Sequence, residues 1–234
     1  NRACTGLAST IGNAADTLRI LSDNGVFFET KPAYADSMVT GFIRLNGYTV
    51  GAVANRGEDD KLRALGLEKA AEFISFCDAF NIPVLTLANA GAFNNCKCAE
   101  KRMSKAAAKL AYAYANATVP KVTVVTGKAY GSAYVLMGSK TLGADMVYAW
   151  PNSEIGMMDA GMAAKILAGS SDAAKISEIK AEYSALQQNV ASAARRGYVD
   201  TIIEDADTRK YVIGAFEMLY TKREDRPDKK HGTK

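Results

Sequence analysis

The run 127-GKAYGSAY-134 holds the residues best suited to chemistry in this chain. Gly127, Ala129, Gly131, Ser132 and Ala133 leave almost no side-chain bulk where a β-branched run gives way to a helical pattern. The first N–H groups of a helix have no partner within it, and the helix dipole favours negative charge there. Small side chains let a ligand oxygen reach those groups. Such a turn suits the stabilisation of an oxyanion, where one donor contributes ~3 kcal/mol in the transition state. The same composition also serves plain close packing of a helix on a sheet. The run is neither G-x-G-x-x-G nor a phosphate-binding P-loop.

Other groups carry weaker signals. Ser132 lacks the G-x-S-x-G elbow of a hydrolase nucleophile. The single histidine, His231, sits among charges near the C-terminus, so a Ser–Lys dyad is the other form a hydrolase would take. Asp145, Glu154 and Asp159 cluster in sequence around a strand-like run, and Glu154 follows a Pro-Asn-Ser turn that would aim it at the Gly131 helix. Acid–base work needs burial and proximity. The plainer roles are a helix N-cap for Asp159 and a hydrogen-bonded loop acid for Glu154. Cys96-Lys97-Cys98 has no C-x-x-C companion and no nearby histidine, so no metal site is expected. Reduced thiols in a loop of a cytoplasmic protein are expected instead. Met137, Met146, Met157, Met158 and Met162 suit core packing, or an adaptable apolar wall or subunit contact. Tyr112 and Tyr114 fall on different faces of one helix, so one of them packs inward.

The elements that must position these groups follow from the pattern. Residues 13–22 read as a short amphipathic helix. Residues 38–55 read as two strands around Asn46-Gly47, a strong hairpin signal. After a charged loop at 56–64, Leu67, Ala70, Ala71, Ile74, Cys77 and Phe80 recur at helical spacing up to Asn81-Ile82-Pro83. "VLTLAN" (84–89) is a buried strand, 90–98 a loop, 101–117 an Ala-rich helix, and "KVTVVTG" (121–127) a second buried strand. A helix is expected over 131–140, a strand at "DMVYAW" (145–150), and helices at 160–168, 172–194 and 207–222. Buried strands alternating with helices indicate an α/β fold. Its ligands belong at the carboxyl ends of the strands, in the loops 89–98 and 127–131.

The 234 residues suffice for one large α/β domain or two small ones. A composition of 48% hydrophobic and 23% charged residues is that of an ordinary soluble protein. Much of the net charge of +4 comes from 221-TKREDRPDKKHGTK-234, without a basic stripe carrying interleaved aromatics, so nucleic acid is not expected as a partner. No apolar run approaches a membrane span, and no signal peptide is visible. A chain that starts at Asn1 rather than Met is expected to be a fragment or a processed piece.

Four ordered blocks carry a resemblance. "FCDAFNIPVLTL" (76–87), "YANATVPKVTVVTGKAYGSAY" (114–134), "GADMVYAWPNSEIGMM" (143–158) and "KKHGT" (229–233) resemble the C-terminal half of carboxyltransferase subunits of biotin-dependent acyl-CoA carboxylases. "MVTGFIRLNGYTVGAVAN" (38–55) is similar to the hairpin that opens that domain. The propionyl-CoA carboxylase β-subunit, methylmalonyl-CoA carboxyltransferase and the sodium-pumping acyl-CoA decarboxylases are of this family. The resemblance covers about residues 20–234. It implies a crotonase/ClpP-like fold, a spiral of ββα units, with a linker helix at 1–24, the biotin-side domain at 25–222 and a charged tail at 223–234. It also implies a separate N-terminal domain that binds acyl-CoA, a biotin carboxyl carrier protein, and a trimer or hexamer.

By the same resemblance, the N–H groups of Ser132 and Ala133 would stabilise charge on the biotin ureido oxygen. Gly131, Tyr134, Gly91, Ala92 and Phe93 would line the biotin pocket. The family's run reads Gly-Gly-Ala where this chain has Gly131-Ser132-Ala133, a change that a main-chain donor survives. The family's Pro-Gly-Phe is replaced by Ala90-Gly91-Ala92-Phe93, and 94-NNCKC-98 then diverges, which points to a specialised branch such as a decarboxylase or transcarboxylase. Two other readings stay open. One is a ClpP-like serine hydrolase using Ser132. The other is a non-catalytic domain that assembles a carboxylase.

Overall fold

The computed structural model describes residues 2–56, 60–169 and 172–225, and for 98 and 99 the backbone alone. In chain order the elements are α1 (Ala14–Leu21), β1 (Phe27–Glu29), β2 (Met38–Leu45), β3 (Tyr48–Asn55), β4 (Lys61–Leu62) and α2 (Ala64–Ala79). Then come β5 (Val84–Ala90), β6 (Ala92–Phe93), α3 (Lys97–Asn116), β7 (Lys121–Tyr130), α4 (Gly131–Leu136) and β8 (Met146–Ala149). The last are β9 (Glu154–Gly156), α5 (Ala160–Ala168), α6 (Ala173–Tyr183), α7 (Val190–Arg195), β10 (Thr201–Ile202) and α8 (Thr208–Met218).

One sheet runs in the order β1-β2-β3-β5-β7-β8-β10. The β1-β2-β3 part is antiparallel, and every later pair is parallel. Asn46 and Gly47 both take positive φ (54° and 82°), as the tight hairpin turn between β2 and β3 requires. Along the parallel strands the side chains alternate between two cores. Val84 and Ala88 of β5 and Val125 and Ala129 of β7 face α2 and α3, with Leu67, Ile74 and Leu110. Leu85, Leu87, Val122 and Val124 face the other way, with Leu18 of α1 and Val212 of α8. A strand buried on both faces needs apolar residues in succession, which explains why "VLTL" and "VTVV" show no polar alternation. Their threonines are satisfied in place: Thr86 Oγ1 meets Tyr114 Oη at 2.8 Å, and Thr123 Oγ1 donates to the Gly138 carbonyl at 2.6 Å. Tyr114 is thus the inward tyrosine of its helix, and burial raises its pKa.

Several boundaries differ from the sequence-based expectation. Phe80 is 64% exposed rather than core, because α2 has ended, and its ring lies tilted against the half-exposed Phe76 with centroids 4.6 Å apart. The loop at 56–64 includes β4, and the loop after β5 includes β6. These two short strands pair in parallel as a second small sheet. β7 runs three residues beyond Gly127, since Lys128–Tyr130 pair with β9 and Ala129 with Ala90. α4 ends at Leu136, ahead of Gly138. The helix expected over 172–194 is interrupted by a π turn at 184–188 and by Asn189, whose backbone bridges to Glu154 and whose side chain caps α7 through Ala191 N at 2.8 Å. A tertiary pairing interrupts that helix, and no local breaker is needed.

The division at residue 24 has no counterpart in the packing. Leu7, Leu18 and Leu21 are buried in the second core, and Cys4 N donates to the Ala206 carbonyl at 2.9 Å. Residues 226–234, which hold His231 and "KKHGT", lie outside the described residues. No described helix is long and apolar enough to cross a membrane.

Candidate active site

The carboxyl ends of β3, β5 and β7 lie side by side and are joined by two asparagines. Asn89 N donates to Asn55 Oδ1 at 3.1 Å, and the Asn55 amide donates back to the Asn89 carbonyl. Asn89 Oδ1 accepts from Lys128 N at 2.9 Å. Asn55 is 4% exposed, so this exchange satisfies polar groups that water does not reach.

Beyond an irregularity in β5 at Ala88–Ala90, Ala90 pairs with Ala129, so Gly91 leaves the sheet next to Tyr130. Gly91 N donates to the Asp60 carbonyl at 2.9 Å, and Ala92–Phe93 pair with Lys61–Leu62. The Asp60 carboxylate closes this corner by pairing with Lys128 Nζ at 2.9 Å. That hydrogen bond is the chief reason the Lys128 pKa is raised. A Cβ at Gly91 would lie 2.6 Å from Asp60 Oδ2, so a larger residue there would have to displace the Asp60 carboxylate. β6 is in contact with α4. The fold therefore brings Gly91, Ala92 and Phe93 beside the Gly131 turn, although 38 residues separate Phe93 from Gly131 in sequence.

α4 starts with Gly131 at φ +50°. A Cβ there would stand 2.9 Å from the Met157 carbonyl oxygen, so conformation and space both require glycine. No side chain caps the first N–H groups of α4. Ser132 is exposed and Ala133 is buried. Tyr134 differs from its expected place: its ring is 7% exposed, within the core that also holds Ala133, Val147 and Val190. Its hydroxyl has no hydrogen-bond partner among the described residues, and burial pushes its pKa up to about 12. The Tyr134 side chain therefore packs inward, away from the exposed start of the helix.

The far wall of the turn is β9. Lys128, Ala129 and Tyr130 pair with Glu154, Ile155 and Gly156. The Tyr130 side chain is 4% exposed and its hydroxyl donates to the Glu154 carboxylate. Burial first, then this carboxylate, hold the phenol above the ordinary tyrosine range. Glu154 is thus a strand residue beside the Gly131 turn. Asp159 caps α5, accepting from Gly161 N at 2.9 Å and Met162 N at 3.1 Å. Asp145 does not join them. It lies at the other end of β7, where it accepts from Lys121 N at 2.8 Å and Lys222 Nζ at 2.9 Å.

The remaining groups sort by burial. Met137 is fully buried, whereas Met157 and Met162 are 76% and 60% exposed next to Ile166 and Leu167, which are also exposed. Cys77 is a core thiol whose pKa burial pushes up to about 12. Cys96 is exposed at the start of α3, and the Cys98 side chain lies outside the described residues. No group of three or more metal-ligating side chains occurs among the described residues. A cavity of about 790 Å³ lies at the opposite, N-terminal ends of β3, β5 and β7, between Tyr48, Pro83, Pro120 and Tyr220. The α4 turn is instead an open face, bounded by β6 on one side and β9 on the other.

A carboxyl transferase domain model matches residues 10–233. The chain belongs to the carboxyl transferase family. It is 42% identical over 227 residues to the methylmalonyl-CoA carboxyltransferase 12S subunit of Propionibacterium freudenreichii subsp. shermanii, an alignment of 93% of this chain and 43% of that protein. It is 44% identical over 226 residues to the propionyl-CoA carboxylase carboxyltransferase subunit of Haloferax mediterranei, covering 93% and 44%. A crystal structure of transcarboxylase 12S, a hexamer assembly with hydrolysed methylmalonyl-coenzyme A bound, superposes with a TM-score of 0.93 at 40% identity, over 99% of this chain and 48% of that one. The chain spans somewhat less than half the length of these relatives. The carboxyl transferase domain therefore has the crotonase-like fold that the resemblance implied. Each unit gives a strand to the main sheet (β3, β5, β7 and the shorter β8). A short strand (β4, β6, β9) stands off three of them, as in a ββα spiral.

Sequence reasoning flagged the Gly131 turn, the loop after β5, Glu154 and Asp159. It missed Asn55, Asn89, Asp60 and Tyr130. The asparagines close apolar strands, a position where a polar residue signals the carboxyl end of a sheet. Asp60 immediately precedes the two-residue strand β4, and nothing local marks it.

Proposed function

We propose that this chain is the biotin-side half of an acyl-CoA carboxyltransferase, moving a carboxyl group between carboxybiotin and an acyl-CoA. The observation that carries the reading is the α4 turn: two successive main-chain donors, Ser132 N–H and Ala133 N–H, at an uncapped helix start with small residues on an open face. The turn fits the ureido group. Its acceptor oxygen needs convergent donors and no side-chain bulk, and Gly131 cannot carry any. Bound carboxybiotin would supply the carboxyl group, and its freed nitrogen would take the acyl α-proton. The chain's own task is then to hold two N–H dipoles where charge develops on oxygen, a role needing no reorganisation during the reaction. Gly91, Ala92 and Phe93 would form one wall of the pocket, with β9 as the other.

The acyl-CoA would be bound by a separate N-terminal domain, and the names of the relatives favour a short acyl group of the propionyl and methylmalonyl kind. The exposed apolar side chains of Met157, beside the turn, and of Met162, Ile166 and Leu167 on α5 suit the face such a domain would cover. A biotin carboxyl carrier protein and a trimeric or hexameric assembly complete the proposal, and the hexameric transcarboxylase structure supports it. Two features disfavour a serine hydrolase. Among the described residues no side chain is hydrogen-bonded to the Ser132 hydroxyl, and Lys128 is paired with Asp60.

The test is transfer between a carboxyacyl-CoA and free biotin in the enzyme assembled with its acyl-CoA-binding domain. Ser132→Gly and Ser132→Ala keep the N–H and are expected to retain activity. Ser132→Pro deletes it and is expected to abolish transfer. Activity in the proline variant, or its loss in both of the others, would refute the backbone-donor reading.

A further inference from the structure

Tyr130 and Glu154 form a side-chain link across the ladder that ends at the α4 turn. Tyr130 is the residue before Gly131, and Glu154 stands three residues before Met157. The Met157 carbonyl in turn sits against Gly131, on the side where a Cβ would point. This carbonyl is the negative end of a dipole within reach of a helix start that has to bind negative charge. Its position decides whether the α4 donors face an anion alone or share it with a repelling oxygen. β9 is held on its other side by backbone and amide contacts: Glu154 bridges to Asn189, and Gln188 Nε2 donates to the Met158 carbonyl at 2.9 Å. On the β7 side the strand ladder and the buried Ile155 hold the middle of β9, and the Tyr130–Glu154 bond adds the polar side-chain link at its start. Tyr130 is 4% exposed, and its hydroxyl ends at a part-buried bond to Glu154, so losing that acceptor loosens the hold on the phenol.

We infer that Tyr130 and Glu154 are a positioning pair for the reaction: their hydrogen bond fixes β9, and through Met157 it keeps the entrance to the Ser132 and Ala133 donors clear. The inference rests on the proposed carboxyltransferase reading and adds two residues that would act through the position of the pocket wall. Removing the bond leaves the donors present but lets the wall shift, and a displacement of ~1 Å at such a site lowers turnover by up to ~100-fold. The acceptor must be an oxygen but need not be charged, so Glu154→Gln keeps the function and Glu154→Ala does not.

The experiment measures kcat and KM for carboxyl transfer to free biotin in the assembled enzyme for Tyr130→Phe, Glu154→Ala, Glu154→Gln and the Tyr130→Phe/Glu154→Ala double variant. Glu154 is exposed, so its variants fold even if Tyr130→Phe does not. The expected result is a loss in kcat of about tenfold or more for Tyr130→Phe and Glu154→Ala, with KM for the acyl-CoA within about twofold. The double variant should lose no more than either single one, and Glu154→Gln should keep most of the wild-type kcat. Wild-type kcat in Tyr130→Phe or in Glu154→Ala, a Glu154→Gln as impaired as Glu154→Ala, or fully additive losses would overturn the pairing while leaving the carboxyltransferase reading intact. Undiminished transfer by Ser132→Pro would instead remove the parent reading, and the positioning role with it.

Discussion

Gly131→Ala tests the geometry of the turn most directly. Gly131 holds φ +50°, where an L-residue costs ~1–2 kcal/mol relative to its ordinary conformations. The added Cβ would also meet the Met157 carbonyl oxygen at 2.9 Å, about half an ångström inside ordinary contact, and that neighbour is backbone rather than a flexible side chain. Relieving it must move β9 or the start of α4, at a further ~1–2 kcal/mol. The sum is ~2–4 kcal/mol, which for a domain of this size lowers Tm by ~4–16 °C. Gly47→Ala is the control. It has the same sign of φ (82°) but nothing within 4 Å of its Cβ, and it lies at the far end of the strands. It should cost only the conformational part, ~1–2 kcal/mol, and leave turnover unchanged. Differential scanning calorimetry and steady-state transfer assays on both variants give the comparison. Gly131→Ala should lose about tenfold or more in kcat beyond the control. If the two variants melt together and turn over alike, the contact between Met157 and the turn does not govern the site.

Three further predictions concern the supports of the site. Asn55→Ala leaves the Asn89 carbonyl and N–H without their partner in a buried place; it should cost ~1–3 kcal/mol in urea unfolding, and a neutral result would contradict the asparagine exchange. Cys96, exposed at the start of α3, should be labelled by a thiol reagent in the native protein well before Cys77. Cys77, buried with its pKa pushed up to about 12, should react only after unfolding, and prompt labelling of Cys77 in the native protein would be inconsistent with its core position. Tyr114 has its folded pKa raised above the ordinary 10.0, so as pH climbs past that value the unfolded chain releases the proton first. The unfolded state then binds fewer protons, and stability falls with pH by up to ~1.4 kcal/mol per pH unit for this group. Tyr114→Phe should flatten the loss of unfolding free energy between about pH 10 and 11 by that amount, and an unchanged slope would refute the shift.

Much of the architecture was legible because it is written in local physics. "VLTL" and "VTVV" are strands buried on both faces, and their unbroken apolar character marks them without any tertiary information. Asn46-Gly47 demanded a hairpin, and positive φ at both residues supplies it. The Gly131 turn could be picked out because a site built from main-chain donors must exclude side chains, and that exclusion is visible as composition. Matching blocks on either side gave the turn its chemical meaning.

What the sequence alone could not state is which distant groups meet. Asp145, Glu154 and Asp159 lie close together along the chain, yet Asp145 sits at one end of β7 and Glu154 at the other, because β8 crosses the sheet between them. Tyr134 shares a turn of helix with Ser132 but points into the core, since neighbouring helical residues lie ~100° apart. Asp60 reaches Lys128 across 68 positions of chain, and Asn189 leaves its helix to pair with Glu154. Composition and periodicity are short-range properties, and they determined the strands, the hairpin and the bare backbone of the turn. The neighbours that hold that turn in place come from the register of β4 with β6 and β9 with β7, which only the packed chain decides.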